Sequence, residues 1–410
     1  MLLISLSLSY ALQAIINPLY CYTPLVAIAQ SNQAKIQADV TMQAVIAAAA
    51  QSAAASQSQA SASPAIIPIT PQNLGPTGDL VHLAGTYQIP SSLAYSGSVS
   101  ALTIEQSNTT IDLNGQTIQF TGNSSQTVHG IIINPGISNI TIKNGTIAGF
   151  SGSGIYAQAT PENPINNIIL DTVIVTSCTN GIVISGGNTI SLNACTVSAN
   201  TSNAAAPNYG ISLTNCSGVR ASNCISSYNT NSSDSCYGFF CSSCAKVLFN
   251  TCTAHGNSGY GKTVGFYFSS MIYNNYIKSC LSNGNMAAES NCYGFLIENS
   301  TFIFLEDSEA QCNWPCDTDY DSYGIRLSSS STCFIKHNTV DCNGYGIYDD
   351  EPLGFHTNIF TQNIAYNNVI EDYLRPYSSP LTYVLINQEY LQGILQAGSL
   401  DNISIRISSS

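Results

Sequence analysis

The 410-residue chain predicts an all-β fold: one single-stranded, right-handed parallel β-helix of about ten coils, with a lead before it and a short cap after it. Three observations predict it. A glycine followed by a large apolar residue recurs at intervals of 22 to 30 residues. A second apolar strand follows each glycine with a mean period of about 27–28 residues. Charged residues make up only 8% of the chain against 44% apolar ones, a balance that suits stacked strands joined by small polar turns.

The glycines stand at 130, 154, 181, 210, 238, 265, 294, 324 and 346. Each is followed by an apolar residue (Ile131, Ile155, Ile182, Ile211, Phe239, Phe266, Phe295, Ile325, Ile347), and two positions later by a second column running from Ile133 to Leu327 and then Asp349. Alternation at period two places both columns on one side of a strand. The second strand begins Ile111-x-Leu113, Ile140-x-Ile142, Ile168-x-Leu170, Ile190-x-Leu192, Val219-x-Ala221 and Val247-x-Phe249. It continues as Ile272-x-Asn274, Ile303-x-Leu305, Cys333-x-Ile335 and Ile359-x-Thr361. A meander would show turn signals every 8–12 residues instead. A long period with short strands fits coils that each cover the apolar face of the next.

Before the repeat, Leu2 to Leu12 and Leu19 to Ala29 are apolar, and Ala27-Ile28-Ala29 has the small-x-small form of a signal-peptidase site. Residues 1–29 are therefore expected to be a signal peptide, with no later membrane span and a secreted or cell-surface destination. Residues 30–79 form an Ala/Gln/Ser-rich and then Pro-rich lead, 80–370 the β-helix, and 371–410 a cap. A net charge of −13 argues against nucleic acid and anionic membranes as partners, and leaves cations or polar ligands such as a polysaccharide or a cell-surface partner.

Gly85-Thr-Tyr-Gln-Ile followed by Leu102-Thr-Ile-Glu-Gln-Ser-Asn-Thr-Thr-Ile-Asp-Leu-Asn-Gly-Gln-Thr-Ile118 resembles the first full coil of right-handed β-helix repeat proteins of the pectin-lyase-like superfamily. The resemblance covers about residues 80 to 370 and implies the fold; the superfamily hosts lyases, hydrolases, epimerases, adhesins and non-enzymes, so it does not imply one activity. Copper handling, known among proteins that share this repeat, meets a chain with only five His and four Met.

Cys195, Cys224 and Cys252 occupy one place in successive coils and are expected to stack as buried thiols. Cys241-Ser-Ser-Cys244 lacks a second pair for a metal site, and Cys312 and Cys316 bracket a loop as a candidate disulfide. Tyr209, Tyr237, Tyr293, Tyr323 and Tyr345 precede glycines and predict an aromatic ladder. The outward column Ile132, Tyr156, Val183, Ser212, Phe240, Tyr267, Leu296, Arg326, Tyr348 is apolar for a solvent face; either a terminal segment covers it or it is a binding stripe.

Chemistry concentrates near the C-terminal coils, where residues 289–372 carry 14 of the 23 acidic residues and two basic ones. Asp317, Asp319 and Asp321 alternate and offer hard oxygen ligands for Ca²⁺. Trp314, the only tryptophan, with Tyr320, Tyr323 and Tyr348, supplies aromatic rings for a sugar. Glu298, Ser328 and Asp350 fall on one outward column beside Arg326. Two rungs would separate Glu298 and Asp350 by about 9–10 Å, the upper edge for an inverting carboxylate pair. Two functions follow: a glycan- or partner-binding β-helix without catalysis, or a Ca-dependent polysaccharide lyase or glycoside hydrolase using Arg326, Glu298 and Asp350.

Overall fold

A computed structural model describes residues 66–374, apart from 72–73, 75–78, 82–83, 124, 161 and 351–357. The expected signal peptide, most of the lead and the cap beyond 374 lie outside the described residues.

The chain winds as a right-handed β-solenoid of about ten turns, built entirely of parallel strands. Each turn contributes to up to three sheets. Among the described residues the first sheet has 21 strands, mostly two per turn; the second has 12; a third of 5 begins at Thr201–Ser202. The glycine-marked strands form the second sheet, in the register that the repeat predicts: Ile211 beside Phe239, Phe239 beside Phe266, Phe295 beside Ile325. Ile66–Pro68 pairs with Gly85–Gln88, and Glu371–Leu374 with the strand at Tyr345.

The interior is a continuous apolar core. Ile111, Ile140, Ile168, Ile190 and Val219 fill one side, and Ile182, Ile211, Phe239, Phe266, Phe295 and Ile325 face them. Phe239, Phe266 and Phe295 stack face to face at 4.7 and 4.9 Å, the rung spacing itself. The recurrent glycines exist because there is no room for a side chain: a Cβ on Gly210 would lie 2.0 Å from Ser226 Oγ.

Corners are made by single residues in the left-handed region, among them Ala194, Asn223, Thr251, Ser279, Asp307 and His337, one per turn. A donor side chain follows each: Cys195, Cys224, Cys252, Cys280, Ser308 and Asn338. At the next corner a buried asparagine column runs through Asn200, Asn229, Asn257, Asn285, Asn313 and Asn343. Each amide donates to the Oδ1 of the next, at 2.8 to 3.1 Å. Such ladders satisfy the backbone groups that a corner turns inward.

Two expectations about strands and cysteines need correction. Ile272-x-Asn274 is not a strand: Ile272 is half exposed at an isolated bridge, and Asn275–Lys278 pairs instead, with Ile277 inward. The same shift makes Phe360, not Ile359, the inward residue of Ile359–Thr361. No disulfide joins Cys312 to Cys316 across that loop.

Candidate functional site

The outer face of the second sheet carries a second apolar cluster, separate from the core. Tyr237, Val264, Tyr267, Tyr293, Leu296 and Tyr323 are buried in it, and Tyr209, Phe240, Tyr345 and Tyr348 pack against it half-buried. It forms because the parallel register repeats the same outward positions rung after rung. Tyr293, Tyr323 and Tyr345 stack at 5.3 and 5.0 Å with nearly parallel planes. Their faces are turned to one another, so the ladder offers solvent ring edges and phenols rather than open aromatic faces.

Polar groups rim this floor. Arg326 is caged: its guanidinium carbon sits 4.8 Å from the Tyr323 centroid, 5.3 Å from Tyr348 and 5.8 Å from Tyr293. It donates to Tyr293 Oη at 3.2 Å and pairs with Asp350 at 3.0 Å. Asp350 also accepts the Ser329 N–H at 3.0 Å. Two turns earlier, Lys262 lies over the Tyr267 ring at 4.4 Å and donates to its hydroxyl, which in turn donates to Glu298.

The electrostatics follow from this half-buried setting. Burial pulls the Arg326 guanidinium down, but Tyr293, Asp350 and Tyr323 outweigh it and hold it above its usual value. It is a permanent cation and cannot serve as a base. Burial lowers Lys262, with Glu298 opposing. Burial first, then the bond to Glu298, raises the Tyr267 phenol, and burial pushes Tyr237 up to about 12. These tyrosines stay neutral hydrogen-bonding groups at physiological pH.

The structure thus brings together Arg326, Asp350, Tyr323 and Tyr348, and sets Glu298 on the same face. It leaves the other candidates elsewhere. Trp314 is half-buried in the third sheet, where its strand pairs with that of Met286, and Tyr320 is exposed on the following loop. Asp317, Asp319 and Asp321 do not converge as a Ca²⁺ site. The first two are exposed, with Asp317 accepting the Asp319 N–H, while Asp321 accepts from the Tyr323 hydroxyl. Among the described residues no three His, Cys, Asp or Glu side chains come together to hold a metal, so calcium is not supported.

A surface that the sequence reading missed lies on the first sheet. Tyr276, Phe304 and Phe334 stack outward at 4.7 and 4.8 Å, flanked by exposed Tyr273 and Phe302. The signal was present one residue before each inward position, and taking Ile272 as a strand start hid it.

Comparison with known proteins agrees with the architecture. Residues 92–277 match the family described as "Right handed beta helix region", and residues 201–393 the family described as "Periplasmic copper-binding protein (NosD)". A mannuronan C-5 epimerase A-module from Azotobacter vinelandii superposes with a TM-score of 0.54 at 13% identity, over 77% of this chain and 89% of that one. A double mutant of a periplasmic alginate epimerase superposes with a TM-score of 0.53 at 13% identity, over 73% of this chain and 79% of that one. No curated protein matches the chain in sequence. The class defined is a right-handed parallel β-helix protein.

The copper in the second description can be tested against the residues present. His337 is engaged by Gln362 and Asp307, His255 packs edge-on against Tyr228, and the described thiols other than Cys316 are buried. This donor set does not fit a copper centre, which needs several converging deprotonated or neutral ligands.

Among the described residues no helix is long and apolar enough to cross a membrane.

Proposed function

We propose that this is an exported β-helix protein that binds a polysaccharide on the outer face of its second sheet, without chemistry of its own. One observation carries the reading: a floor of buried tyrosines is rimmed, over consecutive turns, by the half-exposed Lys262, Glu298, Arg326, Tyr348 and Asp350. An apolar floor with a few oriented polar groups is how proteins hold hydroxyl-rich ligands. Phenols and a caged guanidinium contribute donors, and the carboxylates contribute acceptors. The structurally similar proteins named above are epimerases of mannuronan and alginate, both polysaccharides, which supports this ligand class.

Binding is favoured over cleavage because each candidate catalytic group is already engaged. Arg326 is tied to Asp350, Asp350 accepts two donors, and Glu298 accepts from Tyr267. A lyase or hydrolase needs a free base and a separate acid at the scissile bond.

The test is calorimetric titration of the full chain with a panel of neutral and acidic polysaccharides, alongside Tyr348→Ala and Arg326→Ala. Saturable binding to one polysaccharide, weakened roughly 10-fold or more by either substitution, is expected. Absence of binding across the panel, or binding indifferent to both substitutions, rejects the reading. Release of reducing ends or unsaturated products would replace it with the enzymatic one.

A further inference from the structure

We propose that the cysteine columns of this solenoid are hydrogen-bonding hardware that closes its corners, and that they do not bind copper despite lying largely in the segment matched to a copper-binding description. Cys195, Cys224, Cys252 and Cys280 each follow a left-handed corner residue. Their thiols donate to the carbonyl two residues back: Asn193, Ser222, Asn250 and Lys278, at 3.3 to 3.6 Å. The first three also reach a carbonyl of the previous turn, Leu170, Leu192 and Ala221, at 3.4 to 3.5 Å.

A second column repeats the arrangement at another corner. Cys216 donates to Thr214 and Ile184, and Cys244 to Ser242 and Leu213. The Cys216 N–H donates to Cys244 Sγ at 3.3 Å.

What decides the role is the continuation of both columns in other residue types. Below Cys280 stands Ser308, whose hydroxyl donates to Glu306 O and accepts the Cys280 N–H. Below Cys216 and Cys244 the column continues through Met271 to Ser300 and Ser330. Each serine hydroxyl donates to the carbonyl two back and to one in the previous turn. Thiol and hydroxyl make the same two bonds at equivalent places. A metal site would not exchange sulfur for a hydroxyl at its own ligand position. Burial also keeps Cys252, in the first column, as a thiol, well above the usual range, whereas a copper-ligating cysteine must be a thiolate.

The experiment uses the full chain carrying Cys316→Ser, which removes the one thiol exposed among the described residues. Two double variants are made in it: Cys224→Ser with Cys252→Ser, and Cys224→Ala with Cys252→Ala. Serine and alanine leave cavities of similar size, so the pair isolates the donor. The serine variant is expected to melt several degrees above the alanine variant. Cu(I) delivered from a chromophoric competing chelator is expected to produce no thiolate-to-copper charge-transfer band in the parent. An alanine variant as stable as the serine one overturns the hydrogen-bonding role. A charge-transfer band in the parent that is lost in both variants overturns the exclusion of copper.

Discussion

Arg326 and Asp350 sit one turn apart on the outer face of the second sheet and form an ion pair at 3.0 Å, with the guanidinium lying over Tyr323. Asp350 closes the arrangement by also accepting the Ser329 N–H. The pair therefore ties the last turns of the described solenoid together while rimming the tyrosine floor.

Asp350→Asn is expected to lower stability by about 1–2 kcal/mol, between the values for exposed and buried pairs. Denaturant melts at low and high salt check this. The difference between parent and variant should shrink only partly with salt, because the pair is half-buried.

Asp341 gives a pH dependence. Burial, then the charge of Glu309, raises its carboxyl from the usual 3.8 to about 6. A carboxyl whose folded pKa is raised supplies stability that is complete below the unfolded value and is lost as pH rises through the folded one. Between about 4 and 6 the native state thus forfeits stability, and above 6 the charged group is a burden. Asp341→Asn is expected to stabilise the chain at pH 8 by on the order of 1–2 kcal/mol, discounted for solvent screening, and to change little at pH 3.5. Equal effects at both pH values would remove Asp341 as the cause.

Thiol reactivity separates Cys316 from the rest. Of the fourteen cysteines described, it alone is exposed. Brief alkylation of the native chain, followed by peptide mapping, should modify Cys316 quickly and leave the other thirteen intact until denaturant is added. Rapid native labelling of Cys224 or Cys252 would contradict the buried columns.

The asparagine column is expected to be costly to break. Asn257 donates to Asn285 Oδ1 at 2.9 Å, and its own Oδ1 accepts both the Asn229 amide and the Asn229 N–H. Asn257→Ala leaves those buried groups unpaired, for a loss of about 2–4 kcal/mol in chemical denaturation. A loss below about 1 kcal/mol would mean the corner closes by other means.

Much of this architecture is legible in one dimension. The glycine columns, the register of Phe239 on Phe266, the Tyr293–Tyr323–Tyr345 ladder and the thiol stack all follow from a repeat in which equivalent residues must lie one rung apart. The repeat misleads where it slips. Ile272 looks like a strand start in spacing and hydrophobicity, but the isolated bridge there leaves it exposed and hands the core position to Ile277.

The site divides in the same way. Sequence alone determined that Arg326, Glu298, Tyr348 and Asp350 share an outward face, because period-two alternation in a parallel coil leaves no other choice. Only the tertiary structure decided that Arg326 spends its charge on Asp350 inside a tyrosine cage, and that Asp317 and Asp319 point to solvent without Asp321. Register is set by repetition along the backbone. Pairing between side chains depends on rotamers and loop paths that no repeat encodes.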